Sequence, residues 1–361
     1  MWFLLLIYLW PIVLGGKSII PYDTLYGMEP YRSEASEAKA THSISGVWNL
    51  GSLDAIYTTV PMAAATKREL GSGYLPVWDT NTLTGFPLGA FYSTYPINLI
   101  AITFLSPERA LAIETFFHLL LLSLFAYLII VSLGSDPLAG VVAGIAASTN
   151  GIVIYYLISP AHLPAAAWML GPFLCLLRFK KQRNWRWTLV AGICYGMLIS
   201  TTNAQSLLYT SMAYGAYAVC LIGIELWRRA APRALAHLLH SLGMVVIGIL
   251  LGLPTLIMII QFKSGIDRAP LVFPKIPFHS WIWMFIPFYW GDVLPPSNLV
   301  SAMPLHARVY IGVIPLAFAI TALVFSKKAE SKIWMGLAAS LFAITMGLPP
   351  FTYLFSVLSQ R

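Results

Sequence analysis

Several acidic side chains of this sequence lie outside its apolar runs and are of a type that can act in catalysis. Asp54 precedes a short segment of helical character, where a carboxylate can serve as general base toward an acceptor hydroxyl or can cap the helix. Asp79 follows a tryptophan in a loop and either orients a substrate or makes an Asx turn. Asp292 follows a glycine and is either a second acidic site residue or a turn residue. Local sequence alone favours the cap for Asp54 and the turn for Asp79.

A second group of side chains suits a phosphate or another polar ligand. His162 lies in a short loop, where a histidine binds a phosphate when protonated, donates a hydrogen bond when neutral, or is purely structural. Asn203 and Gln205 lie at a turn between two apolar segments and either reach a ligand or bond the broken backbone there. Arg268 and Arg308 either pair with the oxygens of a lipid phosphate or face the headgroups and solvent.

The familiar cofactor and nucleophile motifs do not occur in the sequence. It contains no phosphate-binding P-loop, no dinucleotide fingerprint, no zinc-ligand spacing and no nucleophile elbow. The sequence therefore points to no organic cofactor, and it leaves a divalent metal ion open.

The composition determines the class of protein that must position these residues. The chain is 58% hydrophobic and only 10% charged, so it cannot cover itself with polar surface, and lipid must be its solvent. The net charge of +8 does not indicate nucleic-acid binding, because basic residues of membrane proteins mark their cytoplasmic loops. We expect a single polytopic membrane domain over residues 1–361, all-α in class.

Apolar runs predict nine transmembrane helices, of which the fifth is short for a bilayer and has no clear boundary with the sixth. They lie at residues 2–20, 110–133, 137–157, 160–179, 188–202, 205–227, 237–262, 309–325 and 333–353.

The basic residues predict the orientation of these helices. They fill the loops after the fourth, sixth and eighth helices, which fall on one side of a nine-helix bundle. The positive-inside rule makes that side cytoplasmic. We therefore expect a multi-pass protein of the cytoplasmic (inner) membrane with its N-terminus in the cytoplasm. The loops contain Arg178, Lys180, Lys181, Arg183 and Arg186, then Arg228, Arg229 and Arg233, then Lys327, Lys328 and Lys332.

Two long segments, 21–109 and 263–308, then lie outside the membrane and hold most of the acidic residues. In the first, a helix is expected from Asp54 to Leu70, kinked or restarted at Pro61 and stopped by the glycines that follow. Residues 73–96 predict an ordered loop. In the second, the aromatic stretch 281–290 predicts a helix in the membrane interface.

Several stretches together resemble the bacterial YfhO-like membrane proteins, which are grouped with the GT-C-type glycosyltransferases. The first combines Asp54 and Pro61 with residues 73–79 and 85–88, similar to an Asp, a Pro, then G-x-L-P-L-W-N-P and G-x-P in the family. Residues 203–209 look like the family's G-H-P-Q-x-x-x-Y. Further stretches are 161–163, 287–292 and 310–316. The resemblance covers about residues 45–350, in the family's order.

This resemblance implies a GT-C bundle with a folded first external loop. It also implies sugar transfer from a polyprenyl-phosphate-linked donor to an extracytoplasmic acceptor of the cell envelope, whether glycan, lipid or protein. The family's catalytic acid maps onto Asp54, and its other motifs include Asp79, His162, Asn203, Gln205 and Asp292.

The chain departs from the family pattern at three points. Asp79 stands where the family tends to have Asn, and Asn203 with Ala204 replaces His-Pro. Relatives continue beyond the position of Arg361, which predicts a truncated or split member. Two other classes of function remain open from the sequence: a carrier or flippase for a lipid-linked intermediate, and a non-catalytic partner in envelope polysaccharide assembly.

Overall fold

The computed structural model describes residues 2–27, 29–34, 54–82, 85–157, 159, 161–264 and isolated positions between 315 and 338. This part of the chain is helical, and an isolated bridge between Asp79 and Phe86 is its only β pairing. The α-helices are α1 (Trp2–Val13), α2 (Val60–Gly71), α3 (Pro96–Phe104), α4 (Pro107–Ser132), α5 (Pro137–Thr149), α6 (Gly151–Tyr155), α7 (His162–Gln182), α8 (Arg186–Ser200), α9 (Ala204–Trp227) and α10 (Ala231–Ser264).

The described helices confirm the expected all-α class and are consistent with a helical membrane protein. Four of them, α4, α7, α9 and α10, are long and apolar enough to cross a membrane, and α1, α5 and α8 are shorter apolar helices. Leu250 and Ile260 of α10 are among many large apolar side chains left exposed, which suits contact with lipid. The described positions of the predicted eighth and ninth spans are helical. Most of those spans lies outside the described residues, so the count of nine stays a prediction.

Two predicted helices differ from the structure for local reasons. The first was expected to reach residue 20, but α1 ends at Val13, and Gly16 follows with a φ of 77°. The third was expected as one helix over 137–157. It is divided into α5 and α6 by Asn150, whose side chain accepts a hydrogen bond from the Val153 amide and so caps α6.

Small residues bring α8 and α10 into close contact. Gly192 and Gly196 of α8 face α10, and a Cβ on Gly192 would lie 2.5 Å from Ile247. Gly248 and Gly252 of α10 face α8 in the same way, with a Cβ on Gly252 only 2.4 Å from Ile199. Glycines four residues apart on both helices let the two backbones approach, as in many membrane helix pairs.

Consecutive helices joined by short turns alternate in direction and give the bundle two distinct ends. We call the end where α4 and α7 begin the cavity end, and the end where α7 finishes and α8 and α10 begin the basic end. At the cavity end, the Thr94 hydroxyl lies 3.3 Å from that of Thr255. At the basic end, the Thr188 hydroxyl lies 2.7 Å from Nδ1 of His240. The described basic loops after the fourth and sixth predicted helices share the basic end.

The segment before α4 folds over the cavity end. A π-helical turn at Ala55–Thr59 leads into α2, which confirms the helix expected here. In an α-helix Pro61 would have to donate to the Tyr57 carbonyl, and proline has no N–H, so the wider π pattern occurs instead. After α2, the Tyr74 amide donates to Glu69 O and the Gly73 amide to Leu70 O, which is a Schellman stop. Helix α3 was not predicted, and α4 begins at Pro107, within the range 21–109 assigned to the loop.

Candidate functional site

A cavity of about 280 Å³ opens between the π-α2 segment and the cavity end of the bundle. Its volume lies just below the usual range of ligand pockets, about 300–1,000 Å³. Side-chain hydroxyl groups are frequent in its lining. The residues that line it are Asp54, Thr58, Thr59, Val60, Met62, Ala63, Thr66, Phe91, Tyr92, Ser93, Asn98, Pro107, Leu111, Ser159, Ala161, His162 and Thr202.

Asp54 lies at the rim of this cavity, where an adjacent apolar contact holds it. The next residue, Ala55, is buried against Ile20 and Leu111 and fixes the start of the π turn on α4. Asp54 itself is exposed, and its side chain makes no capping hydrogen bond. The capping interpretation of Asp54 is therefore wrong in this structure. An exposed carboxylate at a cavity rim remains able to accept a proton.

His162 lines the same cavity at the first residue of α7. Its ring stacks on Tyr156 with centroids 4.2 Å apart, and its Nδ1 lies 2.7 Å from the Ser159 hydroxyl. These contacts hold the imidazole in one orientation. The sequence placed Asp54 and His162 far apart in the chain, and the fold brings both to one cavity.

The turn between α8 and α9 contributes Thr202, which sequence reasoning missed. Thr202 lines the cavity and has a φ of 60°, unusual for a β-branched residue. The Asn203 side chain accepts a hydrogen bond from the Ser206 amide and caps α9, so it bonds the backbone. Gln205 is exposed and donates to the Tyr209 hydroxyl. Neither Asn203 nor Gln205 lines the cavity. The sequence pointed to the correct turn, but the residue of that turn that lines the cavity is Thr202.

A buried carboxylate supports the floor of the cavity. Glu114 of α4 is only 2% exposed, and its two oxygens accept hydrogen bonds from the Tyr92 hydroxyl at 2.7 Å and the Asn98 amide at 2.8 Å. Burial, with the nearby Glu114 carboxylate, raises the pKa of Tyr92 well above its ordinary value, so the phenol stays protonated and donates. Tyr92 and Asn98 both line the cavity, so Glu114 fixes two polar groups that a ligand would meet.

A second set of hydrogen bonds lies beside Glu114 and fixes the tautomer of His118. His118 Nδ1 lies 2.6 Å from the Glu114 backbone carbonyl, so it must carry the proton and donate. His118 Nε2 then accepts from the Tyr95 hydroxyl at 2.6 Å, and that hydroxyl accepts from the Trp168 indole at 2.6 Å. Every polar group of this set is paired, which makes the floor rigid.

Asp79 lies in the loop after α2 and does not line the cavity. It is 2% exposed, and it accepts hydrogen bonds from Arg68 at 2.6 Å, Thr82 at 2.6 Å and the Asn81 amide at 2.9 Å. The bond to Asn81 confirms the Asx turn expected from the sequence. The Thr82 hydroxyl, the Asn81 amide and the Arg68 guanidinium hold the pKa of this carboxyl below its ordinary value. Asp79 therefore organises the loop, and its substrate-binding role stays a prediction.

Positive charge to hold a phosphate is limited in the described part of the cavity. His162 is the lining residue that can become cationic, whereas Lys67 donates to the Leu105 carbonyl and Arg109 to the Ile12 carbonyl. The candidates Arg268, Asp292 and Arg308 lie outside the described residues. Among the described residues, no three His, Cys, Asp or Glu side chains are grouped to hold a metal ion.

The arrangement combines a carboxylate able to accept a proton with side chains able to exchange hydrogen bonds. Hydroxyl and amide groups line the cavity, a carboxylate stands at the rim, and an oriented imidazole faces the same space. Comparisons with protein-family models, with curated proteins and with solved structures each find no significant match for this chain. The resemblance to the YfhO-like family therefore remains a prediction.

Proposed function

We propose that this chain is a membrane glycosyltransferase that acts at the cavity end of the bundle. The donor is a sugar linked to a polyprenyl phosphate, and the acceptor is a hydroxyl of an extracytoplasmic envelope glycan, lipid or protein. In this proposal the cavity end faces away from the cytoplasm, in accord with the basic residues at the other end.

In the proposed reaction Asp54 acts as general base. It takes the proton of the acceptor hydroxyl while that oxygen attacks the anomeric carbon of the sugar. The bond between the anomeric carbon and the phosphate oxygen breaks, and polyprenyl phosphate leaves with its charge. One displacement inverts the anomeric centre. In this proposal the His162 imidazole, which lines the same cavity, donates a hydrogen bond to the leaving phosphate.

One observation carries the proposal: Asp54 and His162, 108 residues apart in the sequence, line one cavity. The lining supports a sugar as ligand, because Thr58, Thr59 and Ser93 offer hydroxyl groups that exchange hydrogen bonds with sugar hydroxyls. Asn98, oriented by Glu114, offers a further polar group.

The test is the substitution Asp54→Asn, which keeps the shape of the side chain but cannot accept a proton. Because Asp54 makes no capping bond, folding should be unchanged. We expect the rate of sugar transfer in membranes, normalised to protein amount, to fall by roughly 10²–10⁴-fold, with donor binding retained. Asp136→Asn is the matched control, because Asp136 is an exposed helix cap for which Asn is equally good, and it should transfer at the wild-type rate. Wild-type turnover in Asp54→Asn would exclude the assignment.

A carrier or flippase is the second candidate, favoured by one observation. Glu114 is a buried carboxylate bonded to two cavity-lining residues, and buried ionisable groups within membrane helices often serve transport. Incubation of membranes with a labelled polyprenyl-phosphate sugar separates the classes. Transfer of the label to an acceptor indicates the enzyme, movement across the membrane without bond cleavage indicates the carrier, and neither outcome indicates an assembly partner.

A further inference from the structure

The basic end of the bundle, opposite the cavity, contains a buried cluster of polar side chains. His237 and His240 near the start of α10 are both fully buried, and Glu225 on the last turn of α9 is 6% exposed. The two histidine rings pack on Phe179 of α7. The His240 ring stacks on Phe179 with centroids 4.3 Å apart, and the His237 ring meets it edge-on at 5.9 Å.

Arg183 completes this cluster from the end of α7. Its guanidinium carbon lies 5.9 Å from the centroid of the Phe179 ring. The charges of Arg183, Lys180 and Glu225 all act on His237, and the basic neighbours outnumber the one acid. The cluster thus joins three helices around an excess of positive charge.

Most polar atoms of the cluster have no bonding partner in the described structure. Among the described residues, Arg183 Nη1, Glu225 Oε2, His240 Nε2 and both ring nitrogens of His237 are buried without a hydrogen bond. Each buried unpaired group costs about 1–3 kcal/mol. So many in one place indicate that another molecule normally supplies the missing bonds.

The backbone of Arg183 also departs from the ordinary. Its φ is 53°, in the left-handed region that costs a side chain roughly 1–2 kcal/mol and that glycine adopts freely. Arg229, in the next loop of the same end, has a φ of 56° but is exposed. An arginine held in a strained conformation, with one guanidinium nitrogen buried and unpaired, is consistent with a role in binding.

We propose that this cluster binds a phosphate group between α7, α9 and α10. Arg183 and the two imidazoles donate to phosphate oxygens, and Glu225 accepts from a hydroxyl carried by the same ligand. The ligand is either the headgroup of an anionic phospholipid or free inorganic phosphate. This site is separate from the cavity and does not depend on the proposed transferase activity.

The residue types favour phosphate over a metal ion or an organic acid. The described residues contain no group of His, Cys, Asp or Glu able to hold a metal, and a metal would be repelled by Arg183. Guanidinium pairs phosphate oxygens with more than one N–H, and basic sites between membrane helices suit lipid headgroups. The extra basic residues of this end, Arg178, Lys181, Arg186 and Arg233, attract anions toward the membrane surface.

The test measures thermal unfolding of the full chain in a phosphate-free maltoside detergent. Phosphatidylglycerol is titrated in one arm and inorganic phosphate in the other, with chloride at equal ionic strength as reference. We expect the wild-type midpoint to rise in at least one arm, and the arm that responds identifies the source of the phosphate. A rise with phosphatidylglycerol alone indicates a lipid headgroup.

Two glycine substitutions give a matched comparison. Arg183→Gly and Arg229→Gly each remove one cation from the same end and relieve the same backbone strain. We expect Arg183→Gly to weaken the apparent affinity for the responding ligand by about tenfold or more, and Arg229→Gly by less than about threefold. If Arg183→Gly does not fold, Arg183→Asn replaces it, since Asn tolerates this conformation.

The proposal is overturned by either of two results. An unfolding midpoint that changes with neither phosphatidylglycerol nor inorganic phosphate would mean that the cluster binds no phosphate group. Equal loss of affinity in Arg183→Gly and Arg229→Gly would mean that the anion responds to general surface charge.

Discussion

The two ends of the bundle both bury histidines, but among the described residues only the cavity end has a buried histidine with both ring nitrogens paired. At the cavity end, His118 is fully buried and uses both ring nitrogens, one toward Glu114 and one toward Tyr95. At the basic end, His237 is equally buried, and neither ring nitrogen has a partner among the described residues.

This difference distinguishes side chains that support the fold from side chains that are left to bind another molecule. The cavity end surrounds its open space with a floor whose bonds are already made, so a ligand there meets pre-oriented groups. The basic end has its unpaired groups inside the packing, so stability there depends on what binds. A buried histidine therefore stabilises the fold at the cavity end, where it is paired, and costs stability at the basic end, where it is unpaired.

The sharpest test applies one substitution to both histidines. His118→Leu should lower the free energy of unfolding by about 3 kcal/mol, because the Tyr95 hydroxyl loses its acceptor and the site loses two hydrogen bonds. His237→Leu should cost less than about 1 kcal/mol in phosphate-free detergent, because no bond is lost. Thermal and denaturant unfolding of both variants measure the difference. Equal destabilisation would remove the contrast between the ends.

Asp79 extends the comparison to a paired charge outside the membrane-spanning helices. Asp79→Ala should cost about 2 kcal/mol, since Arg68, Thr82 and the Asn81 amide all lose their acceptor. Asp79→Asn keeps an acceptor oxygen and should cost less than about 1 kcal/mol. Limited proteolysis of the loop reports both effects.

The same carboxyl gives a pH dependence with a definite sign. Its pKa is lower in the folded protein, so its contribution is complete above the ordinary value of 3.8 and is lost as the pH falls below it. Proteolysis of the loop in the wild type should therefore accelerate below about pH 4. In Asp79→Ala that acceleration should be absent, and its persistence would assign it to other carboxyls.

The smallest expected effect concerns backbone strain at the cavity end. Thr202 has a φ of 60°, so Thr202→Gly should raise the free energy of unfolding by up to about 1 kcal/mol. Unfolding measurements test this, and a loss of stability would show that the Thr202 side chain contributes more by its contacts than its backbone costs.

The sequence predicted most of the described helices, because long apolar runs have few structural alternatives. It also selected Asp54 and His162, which share the cavity. It missed the break at Asn150 and the short helix α3, since both depend on local capping and turn chemistry within apolar or loop sequence. The start of α6 and the limits of α3 depend on backbone hydrogen bonds, which cannot be read from the hydrophobic pattern.

The floor of the cavity and the basic cluster could not be predicted from the sequence, for a different reason. In the sequence Glu114 is only a charge near the start of an apolar run, and its partners Tyr92 and Asn98 come from a segment that no pattern placed beside α4. A glutamate inside an apolar helix was the available signal. His237 and His240 gave no sign of being unpaired, because pairing is a property of the packed helices.

The π turn at Ala55–Thr59 sets the angular position of Asp54. Each added residue rotates an α-helix by about 100° around its axis, and a π turn inserts one such step. Had residue 61 been one with an amide proton, the segment could have continued as a regular α-helix. The side chain of Asp54 would then point about a quarter of a turn away from its present direction. Through the π turn, Pro61 thus determines the direction of the Asp54 carboxylate, seven residues earlier in the chain.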